Sequence, residues 1–256
     1  MKKILIVGLI CELLVSFVYS QTGDHVNGGR FSKNIEYNLL WLEAGYNFNS
    51  KGAVEKLFFG DFNAPIEFFY VHPFEGYSGF RIVRDTLKMK YIIEIKHISN
   101  YKEAQSEAAK NHPTPIGIPA DKIGNHIIST SNMTKEERNL LEEERKNKWE
   151  KYIEERNKLF KIESRSFPIS NQFAEELYKM MVSIIDNFKA RGIPPHIVDG
   201  EEVTFRTVVE DEVWSLKIHE PQGNALKLAD ICKQIITDFT IGKPDELSYI
   251  KLLENF

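Results

Sequence analysis

The most regular hydrophobic pattern lies in the C-terminal half of the chain. Phe173, Leu177, Met180, Met181, Ile184, Ile185 and Phe188 recur at i, i+4, i+7, i+8, i+11, i+12 and i+15, which is one face of a helix. Gly192 and Pro194 are placed to stop it. The Met pair belongs to a core stripe rather than a ligand groove. Asn224 to Phe239 repeats the pattern with Ala225, Leu228, Ala229, Cys232, Ile235, Ile236 and Phe239 inward. After Lys243-Pro244-Asp245 a short last helix is expected to pack through Leu247, Ile250 and Leu253. Between the first two helices the period changes to two. Asp199-Gly200 reads as a turn, Val203–Val209 and Val213–His219 read as strands, and Glu210–Glu212 reads as an acidic turn joining them.

The N-terminal half has the same two periods with shorter elements. Ile35, Leu39 and Leu42 predict a helix over Ile35–Ala44, ended by Gly45, and Ala53–Phe59 predicts another. Ile66–Val71, Phe80–Arg84 and Tyr91–Ile98 are β-branched and aromatic with alternation, so they predict strands, the last two as a hairpin through Asp85–Lys90. Gly76-Tyr77-Ser78-Gly79 reads as a tight turn leading into Phe80. Asn100-Tyr-Lys-Glu103 is close to a capping box and opens a helix that must end before Pro113. His112–Thr134, with prolines at 113, 115 and 119 and glycines at 117 and 124, is the clearest loop. Thr134-Lys-Glu-Glu137 is a full capping box, and it opens a charged helix over Lys135–Glu163, roughly 40 Å long at 1.5 Å per residue. Without a sustained heptad it reads as a solvated helix held by a Trp149–Tyr152–Phe160 stripe rather than as a coiled-coil or partner-binding arm.

A weak echo links the halves. Phe80-Arg-Ile-Val83 and Phe205-Arg-Thr-Val208 each open a hairpin, and each return strand carries a lysine and a histidine, Lys96 and His97 or Lys217 and His219. A duplicated hairpin–helix unit accounts for it, and coincidence does so nearly as well, since the hairpin connections differ in length.

The first residues change the picture of where this fold works. Met1-Lys2-Lys3 is a positive start, Ile4–Val18 is almost wholly apolar, and Val18-Tyr19-Ser20 offers a small residue at the cut. That order is a secretory signal, and the run is too short to span a bilayer and contains Glu12. The division expected is therefore a signal peptide at 1–20, a helix, β-meander and helix region at 21–112, a linker or loop at 113–133, and a long charged helix followed by a helix–hairpin–helix region at 134–256. Gln21–Lys33 is a polar, glycine-bearing start to the mature chain. The expectation is export to the periplasm or beyond, with no membrane span in the mature chain.

Composition then bounds the chemistry. Residues are 42% hydrophobic and 27% charged, a globular balance. Removing residues 1–20 takes Lys plus Arg from 33 to 31 and Asp plus Glu from 37 to 36, so the net charge becomes −5. Such a chain has no electrostatic footprint for nucleic acid. Of two cysteines, Cys11 lies in the signal, so Cys232 is left without an internal disulfide partner and reads as buried and inert.

No phosphate loop, dinucleotide fingerprint, H-E-x-x-H helix or cysteine pair occurs, so no cofactor or metal is expected. Gly76–Gly79 differs from a nucleophile elbow because its second glycine comes one position early. One constellation remains. Thr204 and Arg206 alternate with the core face of one C-terminal strand, and Ser215, Lys217 and His219 with that of the next. Paired, these five form a basic, hydroxyl-bearing face, either a site for a small anionic or polar ligand or a solvated sheet face.

Gly79-Phe-Arg-Ile-Val-Arg-Asp85, Ile93-Glu-Ile-Lys96 with Asn100-Tyr-Lys-Glu-Ala104, and Val203-Thr-Phe-Arg206 with Asp211-Glu-Val-Trp-Ser-Leu216 resemble segments of a family of exported proteins from Gram-negative bacteria. The resemblance implies export and a compact fold, and it carries over no activity and no functional residue. The expected fold is α+β, with antiparallel hairpins packed against amphipathic helices and one long charged helix outside. The expected function is non-enzymatic, that of an exported binding or interaction protein whose partner is a protein or a small polar or anionic ligand. The alternatives are a cell-envelope hydrolase whose Ser, His and carboxylate meet only in the fold, and a structural envelope component.

Overall fold

The computed structural model describes residues 34–37, 51–61, 63–85, 90–112, 134–189 and 200–256. The proposed signal, the 113–133 segment and Asp199 lie outside them. The fold is α+β. Its elements are β1 (Asn34–Tyr37), α1 (Ala53–Phe59), β2 (Ile66–His72), β3 (Gly76–Asp85), β4 (Lys90–Ile98), α2 (Tyr101–Asn111), α3 (Lys135–Leu159), β5 (Ile162–Ile169), α4 (Asn171–Asp186), β6 (Glu202–Val209), β7 (Glu212–His219), α5 (Gly223–Thr240) and α6 (Glu246–Glu254). The seven strands form one sheet in the order β1-β7-β6-β2-β3-β4-β5. All neighbours are antiparallel except β1 and β7. The β2–β6 pairing joins the regions on either side of 113–133. Among the described residues no helix is long and apolar enough to cross a membrane.

Alternation sorts the strand residues onto two faces. One face carries Phe205, Phe68 and Phe80 as directly opposed neighbours, with ring centroids 5.5 and 5.7 Å apart. The apolar stripes of α4 and α5 close over it, joined by Tyr249, Ile250 and Leu253 of α6. The seven inward residues expected in α5 are all buried. Leu247, expected to pack, is 69% exposed, and Tyr249 takes the inward place. The other face carries a smaller cluster in which Val54, Phe58 and Phe59 of α1 meet Phe69, Ile98 and Tyr101. The two echoing hairpins therefore set Phe80 and Phe205 on one face, on either side of Phe68, yet their following helices lie on opposite faces.

Four local expectations are corrected. Asn34–Tyr37 is a strand parallel to β7 and not the start of a helix; the rest of that expected helix lies outside the described residues. Gly76–Gly79 is the first part of β3, not a turn before it. The long helix ends at Leu159, and Ile162–Ile169 is an edge strand. Its exposed positions run consecutively from Glu163 to Ser166, so no alternation announced it. Finally, Asn100 does not cap its own helix. Its amide donates to Leu159 O at 2.9 Å, and its oxygen accepts from Lys161 N at 2.7 Å, so it ties the α3–β5 corner to α2. The Thr134–Glu137 capping box does form, with bonds of 2.8 and 3.2 Å.

Candidate functional site

The β6–β7 register sets Thr204 opposite Lys217, Arg206 opposite Ser215 and Glu202 opposite His219. Directly opposed residues share a face, so Thr204, Arg206, Ser215, Lys217 and His219 do stand together. Thr204, Arg206, Ser215 and His219 are buried, and α1 reaches this face at Arg206. Arg206 donates from Nη1 to Glu67 Oε2 at 3.1 Å and from Nη2 to Glu55 Oε2 at 3.2 Å. Lys51 Nζ and Ala64 N both donate to Glu67 Oε1, each at 2.9 Å. Gly52 N donates to Glu55 Oε2 at 2.9 Å. Lys217 pairs with Glu202 at 3.0 Å, and Ser215 and His219 are also engaged.

Arg206 is one end of a row that crosses four strands. It stands opposite Glu67, Glu67 opposite Arg81, and Arg81 opposite Glu94. The sign alternates at each step, which is the favourable cross-strand arrangement. Arg81 Nε donates to Glu94, and Nη1 donates to Phe59 O at 3.2 Å. Lys96 Nζ lies 3.0 Å from Glu94 Oε1 and donates to Phe58 O. Phe58 O and Phe59 O belong to the C-terminal end of α1, where unpaired carbonyls concentrate partial negative charge. Among the described residues four cations therefore face three carboxylates, and the helix end adds two carbonyl acceptors. Burial pushes the Lys51 ammonium below its ordinary value, against its bond to Glu67. Burial also works to raise Glu94, but hydrogen bonds from Lys96 and Arg81 outweigh it and hold the carboxyl low.

Sequence reasoning found Arg206 and missed Lys51, Glu55, Glu67 and Arg81. Glu67 did leave a signal, as the only charge in the run Ile66–Val71. The chemistry of the row is docking. An incoming carboxylate or phosphate would have to displace Glu55 or Glu67 from Arg206. Gly79 shows how closely β3 lies against β2, with the Phe59 ring of α1 in ordinary contact above it. A Cβ there would fall 2.6 Å from Phe68 O and 3.4 Å from the Phe59 ring.

The other candidates are soon placed. Cys232 is fully buried, and burial pushes its thiol well up. A cleft of about 490 Å³ opens between α4 and the sheet, walled by Pro65, Ile66, Tyr91, Tyr178 and Val208, with Tyr178 Oη donating to Val208 O at 2.9 Å. No group of three or more metal-ligating side chains occurs among the described residues. On the α5 face the register aligns Ser78, His97 and Glu163 across three adjacent strands, with His97 Nε2 3.5 Å from Glu163 Oε2.

No protein-family model, curated protein or solved structure matches the chain.

Among the described residues the largest exposed element is α3. Apart from half-buried Leu141, its described side chains from Lys135 to Lys151 are exposed. It is anchored at its C-terminal end, where Tyr152 and Arg156 are buried. The Arg156 guanidinium lies 5.3–6.0 Å from the ring centres of Phe160, Tyr77 and Tyr152 and donates to Tyr77 Oη at 3.2 Å. Cation–π attraction thus holds a buried charge whose Nε has no hydrogen-bond partner.

Proposed function

We propose that the protein is exported and acts by binding a macromolecular partner, without catalysis. The supporting observation is the contrast between its two sets of charges. The cations of the Arg206 row are matched within the fold, whereas the first four turns of α3 present charges to solvent. The helix holds them in a fixed sequence of positions, with i, i+4 pairs such as Lys148–Glu144 at 2.6 Å, and a preformed backbone loses less freedom on binding. The resemblance to exported Gram-negative proteins agrees with the signal-like first 20 residues. The test is a triple reversal, Arg145→Glu, Lys148→Glu and Lys151→Glu, used beside wild type to capture partners from the native envelope. Loss of a wild-type partner at unchanged melting temperature supports the reading, and an unchanged set of partners removes it. N-terminal sequencing should find Gln21 first, and an intact Met1 refutes export by cleavage.

The Ser78–His97–Glu163 row favours a second reading, a hydrolase of the cell envelope. It ranks below binding for two reasons. Glu163 is 54% exposed, and an acid that orients a catalytic histidine works best shielded from water. Ser78 sits inside a regular strand paired on both sides, which commits nearby backbone N–H groups to the ladder and away from an oxyanion. Esterase activity lost in both Ser78→Ala and His97→Ala would reverse the ranking.

A further inference from the structure

The sheet ends on β5, and among the described residues no strand covers its outer edge. Which backbone groups face that edge follows from one bond. Ser99 N donates to Lys161 O at 3.0 Å, and the β4–β5 register extends to set Ser99 opposite Lys161. That pair is hydrogen-bonded, so alternation directs the backbone groups of Glu163, Arg165 and Phe167 to β4. The N–H and C=O groups of Ile162, Ser164 and Ser166 point away from the sheet. Pro168 falls in the same outward set, where a missing N–H breaks no ladder bond.

We propose that this edge pairs with the same edge of a second copy, antiparallel about a twofold axis at Ser164, to make one continuous sheet. An axis there sets Ser164 opposite Ser164 of the second copy and Ile162 opposite Ser166, each pair exchanging two backbone hydrogen bonds. It also sets Glu163 opposite Arg165 and Arg165 opposite Glu163, in the pairs whose side chains approach most closely. The charge pattern is therefore self-complementary at this register. A one-residue shift removes the match, because residues on opposite sides of the sheet would then be opposed. Glu163, Ser164, Arg165 and Ser166 are all exposed, so among the described residues nothing fills the space beside them. Arg165 uses one donor, Nη1 to Thr240 O, and keeps its others for a second carboxylate. Edge charges often block pairing, but here their order is one that pairs with itself.

Sedimentation over a concentration series is the test, with three variants. Wild type should show a reversible monomer–dimer equilibrium. Ser164→Pro leaves the β4 ladder intact, because its N–H faces outward, and should weaken the dimer roughly tenfold or more through lost bonds at the axis. Arg165→Glu sets like charges opposite each other and should also give monomer. The swap Glu163→Arg with Arg165→Glu should restore the dimer, which no general surface effect would do. A wild type that stays monomeric, a folded Ser164→Pro variant that dimerises as wild type, or a swap that stays monomeric overturns the proposal. A monomer that instead adds an extended foreign peptide at β5 overturns it too.

Discussion

The two faces of the sheet are held by different physics. On one, Phe68, Phe80 and Phe205 meet the apolar stripes of α4 and α5, and contact is non-directional. On the other, α1 is held by Phe58 and Phe59 together with a row of alternating charges. The apolar face tolerates any well-filled packing, whereas the charged face demands that each group meet its partner. The difference predicts that the charge row, more than the apolar contact, sets where the seven-residue helix α1 sits on the sheet.

Substitutions can break each face in turn. Phe68→Ala removes the centre of the aromatic row and should destabilise by about 3–5 kcal/mol in chemical denaturation. Arg206→Ala should cost about 3 kcal/mol, near the lower end for a broken buried pair, because Glu67 keeps Lys51 and Ala64 N. Arg206→Met with Glu67→Gln should cost less than Arg206→Ala; a larger loss would show that the ions stabilise as well as position α1. Cys232→Ser should cost about 1–2 kcal/mol for a buried hydroxyl, moderated if the hydroxyl bonds back to Leu228 O. In the folded protein Cys232 should resist thiol reagents. Rapid labelling at neutral pH would contradict its burial. The smallest effect concerns pH. Because Glu94 is held below its ordinary value when folded, its stabilising share is complete above the ordinary carboxylate range and is lost as pH falls through the lowered value. Glu94→Gln should therefore flatten the acid limb of the stability curve, and parallel wild-type and variant curves would refute this.

Much of the apolar face was legible in advance. The stripes of α4 and α5 are long and strictly periodic, and hydrophobic burial follows that period whatever lies opposite. Thr134 and Glu137 make a capping box because both partners lie within one turn. Asn100 carried a similar local signal, and a tertiary competitor won: the corner at Leu159 and Lys161 took its side chain. Ile35 had helical spacing, and pairing with β7 overrode it. β5 was missed because its middle residues, Glu163–Ser166, are exposed on both faces and so carry no hydrophobic alternation.

The five residues from Thr204 to His219 were correctly placed on one face, since alternation and a short turn fix that from the chain alone. What they face was not legible. Glu67 lies 139 residues from Arg206, and their meeting depends on the β2–β6 register. By itself the sequence determined which positions are apolar, which period they follow and where several helices start or stop, because these properties act over one or two turns. Only the tertiary structure decided which strands are neighbours, which charges face each other and which edge is left open, because electrostatic and backbone pairing act between residues that the chain brings together only once it has folded.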